Sequence, residues 1–170
     1  TAAALRMTAP GPAVFLGNHA SLFDPPLLIS TLPCHPVFVA KRELAGVPFL
    51  GWVIWLAGFI LIDRGNRAKA VASLRAAAKR IHDGQSIAAF PEGTRSTDGR
   101  LLPFKKGVFN LALEAGVPLV PFAIHGGAAV LPKGDWLPVP FFCDAWVGEP
   151  VRWAGDPSRF MAALAASLGG

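Results

Sequence analysis

Nearly continuous apolar runs alternate with amphipathic segments along the chain, and this alternation predicts an α/β fold. Apolar runs without regularly spaced polar residues are typical of strands that are buried on both faces. The predicted strands are 13–16, 37–40, 59–62, 86–90, 119–124 and 141–147. The predicted helices are 25–32, 66–82, 108–115 and 158–168. We therefore expect a single α/β domain over 1–170, with a largely parallel central sheet flanked by helices and joined by right-handed crossovers.

The segment 44–62 carries no charge over 19 residues, a length that suits a transmembrane helix. Glycines and a proline interrupt it, and its last part is a short β-rich run. We predict a buried or membrane-grazing helix followed by a core strand, with a membrane span as the alternative. The segment 126–140 is rich in Pro and Gly, and we predict a long irregular loop there, of the kind that often carries function.

The composition favours a partner that is both apolar and anionic. Hydrophobic residues make up 52% of the chain and charged residues 16%, with a mean hydropathy of +0.44, which favours contact with lipid, an acyl chain or a membrane surface. The net charge of +5 suits phosphorylated small molecules or anionic lipid. The basic residues form no long run and no nucleic-acid-binding motif, so we expect no nucleic-acid partner.

The cysteines and histidines lack the spacing of metal ligands, so no metal site is predicted. Cys34 and Cys143 lie in apolar sequence. Free thiols in a reducing compartment are the prediction for them, with a disulfide between the two as the alternative.

Polar residues follow the predicted strands one after another. In open α/β sheets, ligands bind at the edge formed by the carboxyl ends of the strands, so these residues are expected to share one site. They are Asn18 and His19, Lys41 to Glu43, Asp63 and Arg64, Pro91 to Ser96, and His125 to Gly127.

The stretch NHASLFD (18–24) offers a general base with a carboxylate partner. Neutral His19 can accept a proton near physiological pH, and Asp24 could fix its tautomer. Within one regular helix, however, the two side chains would point about 140° apart. Asp24 precedes Pro25, a typical helix start, so Asp24 is either a dyad partner or only an N-cap. If the helix starts near Asp24, His19 lies in the preceding loop and the geometric objection lapses.

The stretch FPEGTRS (90–96) offers a grip for a phosphate. Gly93 lets backbone amides approach a ligand closely, and the guanidinium of Arg95 can bind phosphate with its planar fork. Glu92 either accepts from a hydroxyl or pairs with an arginine, and a solvated turn is the alternative for the whole stretch. Lys41, Arg64 and Lys105 add positive charge. No nucleophile elbow is present, and Ser21 fits a local hydrogen bond better than a nucleophile.

Four blocks in this order, NHASLFD, GFILIDR, FPEGTRS and VPLVPFAI, resemble the glycerolipid acyltransferases, and among them the 1-acylglycerol-3-phosphate O-acyltransferases. The resemblance implies that His19, positioned by Asp24, deprotonates the free hydroxyl of a lysophospholipid, which then attacks the thioester of acyl-CoA or acyl carrier protein. It also implies a set of residues that bind the glycerol phosphate of the acceptor, and an acyl site shaped in part by 117–122. That set is Arg64, Glu92, Gly93, Thr94, Arg95 and Lys105.

The resemblance further implies no cofactor beyond the acyl donor, and it implies contact with a membrane surface. The expected location is the cytoplasmic face of a bacterial inner membrane, with the protein either peripheral or anchored by an N-terminal segment that is missing before Thr1. Trp52, Trp55 and Phe59 are candidates for an apolar channel that measures the acyl chain. The alternatives are another acceptor, such as glycerol 3-phosphate, another lysophospholipid or a lyso-aminolipid, and a lipid-binding module without catalysis.

Overall fold

The strands of the domain form one six-stranded sheet. The computed structural model describes residues 11–32, 34–97, 100–132, 134–135, 137–152, 160 and 162. The strands are β1 (Val14–Gly17), β2 (Val37–Lys41), β3 (Ile60–Ile62), β4 (Ile87–Ala89), β5 (Leu119–His125) and β6 (Asp144–Val147). Their order in the sheet is β3-β2-β4-β1-β5-β6, in which β1 to β5 pair in parallel and β6 runs antiparallel to β5. The predicted α/β domain with a largely parallel sheet is thereby confirmed.

Helices cover both faces of this sheet, as the unbroken apolarity of the strands requires. The helices are α1 (Asp24–Thr31), α2 (Leu50–Leu56), α3 (Arg67–His82), α4 (Gly107–Ala115) and α5 (Gly127–Val130), with a 3₁₀ turn at Arg42–Gly46. On one face, Leu16 of β1 shares a core with Ile81 of α3 and Leu111 of α4. On the other face, Phe15 packs with Leu28 of α1. Alternate residues of β1 therefore bury themselves in opposite layers.

Local signals in the sequence explain where several elements begin and end. The side chain of Asn66 accepts a hydrogen bond from the Lys69 amide at 3.0 Å and so caps α3. Gly116 ends α4 in the left-handed conformation, with a φ of 67°. Pro25 and Pro26 occupy the first turn of α1, where their missing N–H groups leave no helical bond unmade. This last start leaves residues 18–23 as a loop between β1 and α1.

The segment 44–62 contains the predicted helix and strand. Of the two placements predicted for the helix, buried or membrane-grazing, the buried one is wrong. Only Gly51 and Ile54 of α2 are buried. Every residue of α2 is apolar, so periodicity could not show which face meets water. No helix in the described part of the chain is long and apolar enough to cross a bilayer.

Two further predictions change toward the carboxyl terminus. The expected loop 126–140 contains the short helix α5. The last strand starts at Asp144 rather than at 141, and Phe141 and Phe142 before it are exposed. The predicted helix 158–168 lies almost wholly outside the described residues.

Gly17, the last residue of β1, provides a test of how closely β1 and β5 pack beside the His19 loop. Gly17 pairs with Phe122, and a Cβ at Gly17 would overlap both the carbonyl oxygen and the ring of Phe122. We expect Gly17→Ala to lower the free energy of unfolding by about 1–3 kcal/mol. Urea denaturation followed by circular dichroism measures this change. Gly46→Ala is the control, since nothing lies within 4 Å of its added Cβ; equal losses in the two variants would contradict the packing argument.

Candidate active site

His19 and Asp24 form a hydrogen-bonded pair in which only the aspartate belongs to a helix. His19 Nδ1 lies 2.8 Å from Asp24 Oδ2. Asp24 is the first residue of α1, and His19 lies five residues earlier in the loop after β1. The imidazole also stacks on the ring of Phe90, with 4.0 Å between the ring centroids. Because Nδ1 is engaged by the carboxylate, Nε2 is left to accept a proton.

Asp24 does not cap α1, so that alternative is wrong. The N-cap residue is Phe23, which makes no side-chain cap bond. Asp24 Oδ2 instead accepts from the backbone N–H groups of Ala20 and Ser21, at 2.8 and 2.9 Å, in addition to His19. Three donors converge on one fully buried oxygen, and they offset the cost of burying the carboxylate.

The other oxygen of Asp24 lies against Gly127 at the start of α5. Asp24 Oδ1 is buried and accepts no hydrogen bond from any described residue. A Cβ built on Gly127 would lie 2.5 Å from this oxygen, well inside van der Waals contact. Gly127 therefore lets α5 close over the carboxylate. The sequence places Gly127 after a strand, but nothing local connects it with Asp24.

Two more side chains hold the backbone around His19. Asn18 Nδ2 donates to the Ile124 carbonyl and its Oδ1 accepts from the Ile124 amide, both at 2.7 Å. Glu92 Oε1 accepts from the His19 amide at 2.8 Å, and Oε2 accepts from the Leu102 amide at 2.9 Å. Burial raises the pKa of Glu92, and these two N–H groups act in the opposite direction. Glu92 thus acts as a positioning residue; its direct contact with substrate stays a prediction.

The predicted cationic residues meet around Gly93. Arg64 Nη1 donates to the Gly93 carbonyl. A Cβ on Gly93 would lie 2.8 Å from Arg64 Nη1 and 2.9 Å from Lys105 Nζ, so both cations flank this glycine. Gly93 also has a φ of 74°, which disfavours a side chain there. A guanidinium and an ammonium held this close together attract a shared anion.

A cavity of about 320 Å³ connects His19 with Arg64, whereas Lys105 does not line it. Its polar lining consists of His19, Lys41, Arg64, Thr94 and Arg95. Its apolar lining comes mainly from α1, α2 and the strands β2 and β4 with their following residues, and includes Ile29, Phe38, Leu50, Ile54, Phe59 and Phe90. The cavity thus has the polar groups of a headgroup site and the apolar walls of a chain site.

Some expected residues lie elsewhere. His125 is exposed at the end of β5 and lines no part of the cavity. Residues 117–122, which include the first four residues of β5, do not line it either. Trp52 and Trp55 are exposed rather than in the cavity.

The cysteines are poor candidates for a nucleophile. Burial raises the pKa of Cys34 and of Cys143, and a protonated thiol is a poor nucleophile. Within the described ranges, no three His, Cys, Asp or Glu residues are grouped to hold a metal ion.

A histidine held by a buried aspartate, beside a cavity with cationic and apolar walls, is typical of an enzyme that uses a general base on an amphipathic substrate. The family model described as Acyltransferase matches residues 5–125. The chain belongs to the acyltransferase family, as its sequence blocks indicate.

Three known proteins illustrate the relationship. The chain is 44% identical over 131 residues to the 1-acyl-sn-glycerol-3-phosphate acyltransferase of Limnanthes douglasii. The aligned region covers 75% of this chain and 47% of the plant protein. It is 42% identical over 160 residues to the enzyme of the same name from Haemophilus influenzae, with 92% and 66% covered. The crystal structure of the 1-acyl-sn-glycerophosphate (LPA) acyltransferase from Thermotoga maritima superposes with a TM-score of 0.80 at 29% identity, covering 98% of this chain and 69% of that one. The chain thus spans about half the length of the plant relative and 66% of the bacterial relative.

Gly127 provides a test of the dyad that touches neither of its members. In Gly127→Ala the new methyl group must displace Asp24 Oδ1 or α5, and either shift moves the carboxylate relative to His19. Because small misplacements in an active site are costly, we expect kcat for acyl transfer to fall by up to about 10²-fold. Steady-state kinetics measure this, with Gly46→Ala as the control. Full activity in Gly127→Ala would show that the contact does not position Asp24.

Proposed function

We propose that the chain transfers a fatty acyl group from acyl-CoA or acyl carrier protein to the free hydroxyl of 1-acylglycerol 3-phosphate, which gives phosphatidic acid. The observation that carries the proposal is the 2.8 Å His19–Asp24 pair, of which His19 lines the same cavity as Arg64 and Arg95. The printed names of the relatives support the same acceptor. The cavity has charge for the glycerol phosphate and apolar surface for an acyl chain.

The proposed reaction needs one proton relay and no covalent enzyme intermediate. His19 Nε2 takes the proton of the acceptor hydroxyl while the hydroxyl oxygen bonds to the thioester carbonyl carbon. The tetrahedral intermediate then expels the thiolate, and the imidazolium gives its proton to the thiolate. Asp24 keeps the proton on Nδ1 in the resting state and stabilises the imidazolium between the two steps. The free thiol and the ester account for every atom of the two substrates.

The proposed role of the cationic residues is to hold the acceptor phosphate. Arg64 and Arg95 line the cavity, and Lys105 flanks Gly93 together with Arg64. An arginine can make two parallel hydrogen bonds to a phosphate, which orients it as well as attracting it. Glu92 has an indirect role: it accepts a hydrogen bond from the His19 amide and so holds the backbone of His19 next to the turn at Gly93.

We further propose that the enzyme works at a membrane surface, on the cytoplasmic face of a bacterial inner membrane. The proposed acceptor and product are membrane lipids, whereas both proposed donors are water-soluble and cytoplasmic. The relative from Haemophilus influenzae, a bacterium, aligns with 92% of the chain, and this supports a bacterial setting. No cofactor is needed, since the thioester is already activated.

Replacement of His19 tests the proposed general base. We expect His19→Ala to lower acceptor-dependent thiol release by about 10²- to 10⁴-fold, with an unchanged far-UV circular dichroism spectrum. Asp24→Asn should lose activity less severely. The assay pairs acyl-CoA or acyl carrier protein with 1-acylglycerol 3-phosphate, glycerol 3-phosphate or an uncharged lysolipid. Near-normal thiol release by folded His19→Ala would exclude the dyad mechanism, and vesicle binding without thiol release from any pair would indicate a lipid-binding module.

Replacement of Arg95 tests the phosphate site. Loss of a charge-assisted contact should raise the KM for 1-acylglycerol 3-phosphate by roughly tenfold or more in Arg95→Ala, with a smaller effect on the KM for the acyl donor. Arg75→Ala is the matched control, because Arg75 is an exposed arginine of α3 outside the cavity lining. An unchanged acceptor KM in Arg95→Ala would remove Arg95 from the phosphate site.

A further inference from the structure

Helix α2 exposes an apolar stripe on the outside of the domain. Phe49, Trp52, Val53 and Leu56 follow the i, i+3, i+4, i+7 spacing of one helical face. Phe49, Trp52 and Leu56 are 74%, 69% and 76% exposed, and Trp55 beside them is 79% exposed. The rings of Phe49 and Trp52 meet edge to face at 5.6 Å. Such a continuous apolar surface is typical of an interaction site rather than of a solvated face.

The inner side of the same helix is a wall of the proposed active site. Leu50, Val53, Ile54 and Ala57 line the cavity that contains His19. A single helix of seven residues therefore separates the cavity from whatever covers the apolar stripe. An acyl chain that enters the cavity and a partner that binds the stripe would contact adjacent faces of α2, which meet at Val53.

The backbone before α2 is held in an unfavourable conformation that presents an aromatic ring to the outside. Phe49 has a φ of 62°, and it is the one non-glycine residue with positive φ among the described residues. Positive φ is uncommon for a bulky side chain, and such strain is found mainly at functional sites. Because Phe49 is largely exposed, packing inside the domain does not account for it.

Basic residues flank α2 along the chain. Residues 41–80 contain eight of the sixteen Lys and Arg residues of the chain, but only two of the eleven Asp and Glu residues. Lys41 and Arg42 border the 3₁₀ turn that packs against α2, and Arg80 donates to the Gly58 carbonyl at 2.5 Å, just after α2. The two acids, Glu43 and Asp63, each have a basic partner within 4.0 Å. The region that carries the aromatic stripe is therefore the basic part of the chain.

We propose that the α2 stripe, Phe49, Trp52, Val53, Trp55 and Leu56, is the surface that inserts into the headgroup region of an anionic lipid bilayer, in the leaflet that faces the protein. Tryptophan and phenylalanine are well suited to the headgroup boundary, and the flanking basic residues match anionic lipid. Shallow insertion, to about 5–10 Å, would bring the cavity wall to the depth of the headgroups. The inference rests on the proposed function in one respect: if the acceptor is a membrane lipid, it reaches His19 without leaving the lipid surface.

The experiment compares vesicle binding by variants on two different surfaces. The double variant Trp52→Ser/Trp55→Ser removes both tryptophans of the α2 stripe. Trp146→Ser is the control on β6, which is the edge strand at the other end of the sheet from β3. The 170-residue chain is sedimented with vesicles of phosphatidylcholine and phosphatidylglycerol. We expect the double variant to bind at least about tenfold more weakly, because two large apolar surfaces stay in water, and the control to bind normally. Binding should also weaken on pure phosphatidylcholine vesicles and with added salt.

Phe49→Gly separates a docking role from a structural one. Glycine adopts positive φ without strain, so the melting temperature should stay the same or rise, while vesicle binding falls. A lower melting temperature with normal vesicle binding would overturn the proposal. It would also be overturned if the double variant bound vesicles normally, or if its only change were the loss of a dimer in analytical ultracentrifugation, which would assign the stripe to a second copy of the chain.

Activity on a monomeric acceptor keeps this inference distinct from the proposed function. With a short-chain, water-soluble 1-acylglycerol 3-phosphate, the double variant should release thiol at the wild-type rate, and its defect should appear only with acceptor in vesicles. If wild-type protein binds vesicles through α2 but releases no thiol with any acceptor, the proposed function fails while the docking surface stands. Equal rates on vesicles for both proteins would overturn the docking surface alone.

Discussion

The buried carboxylate of Asp24 is the group on which the geometry of the site depends. A carboxylate cannot be buried without donors, and here the donors are the backbone of Ala20 and Ser21 together with the His19 ring. The loop must therefore close around Asp24 for the charge to be tolerated, and this closure places His19 Nδ1 at hydrogen-bond distance. Correct folding of the loop and assembly of the dyad are the same event. The hydrogen bonds from Asn18 to β5 and from the His19 amide to Glu92 then fix the loop relative to the strands on either side of β1.

The parallel sheet explains why residues far apart in sequence reach one cavity. β4 and β5 are the direct neighbours of β1, and β2 and β3 lie beyond β4. All of these strands end at the same edge, so the residues that follow them are brought together there. Each strand contributes a different part: the base after β1, a lysine at the end of β2, an arginine after β3, and the glycine turn with Arg95 after β4. α1 and α2 then supply the apolar walls above that edge.

Sequence alone predicted those parts of the fold that depend on local pattern or chain order. The strand runs, the amphipathic helix at 66–82 and the gathering of polar residues at one edge follow from periodicity and from the geometry of parallel strands. The sequence left two roles open for Asp24, because a helix cap and a dyad partner need the same residue at the same place. Only the hydrogen bonds that Asp24 accepts from the Ala20 and Ser21 amides decide between the two roles. Glu92 and Gly127 act on the dyad through contacts 73 and 103 residues away in sequence, and no local signal reports such contacts. The sequence left α2 open between a buried and a membrane-grazing helix, because a helix without polar residues has no face that the sequence marks as outer.

The unusual composition of the chain follows from where its apolar residues lie. A domain with 52% hydrophobic residues needs an explanation beyond its two core layers, since aromatic and aliphatic side chains of α2 remain in water. Burying them inside the protein would require another layer of protein over α2, which is a wall of the cavity. An exposed apolar wall with basic neighbours needs no such layer, because a lipid surface can cover it and supply the acceptor at the same place. An all-apolar helix at the carboxyl edge of the sheet therefore adds to the mean hydropathy of the chain and places apolar surface beside the cavity that contains His19.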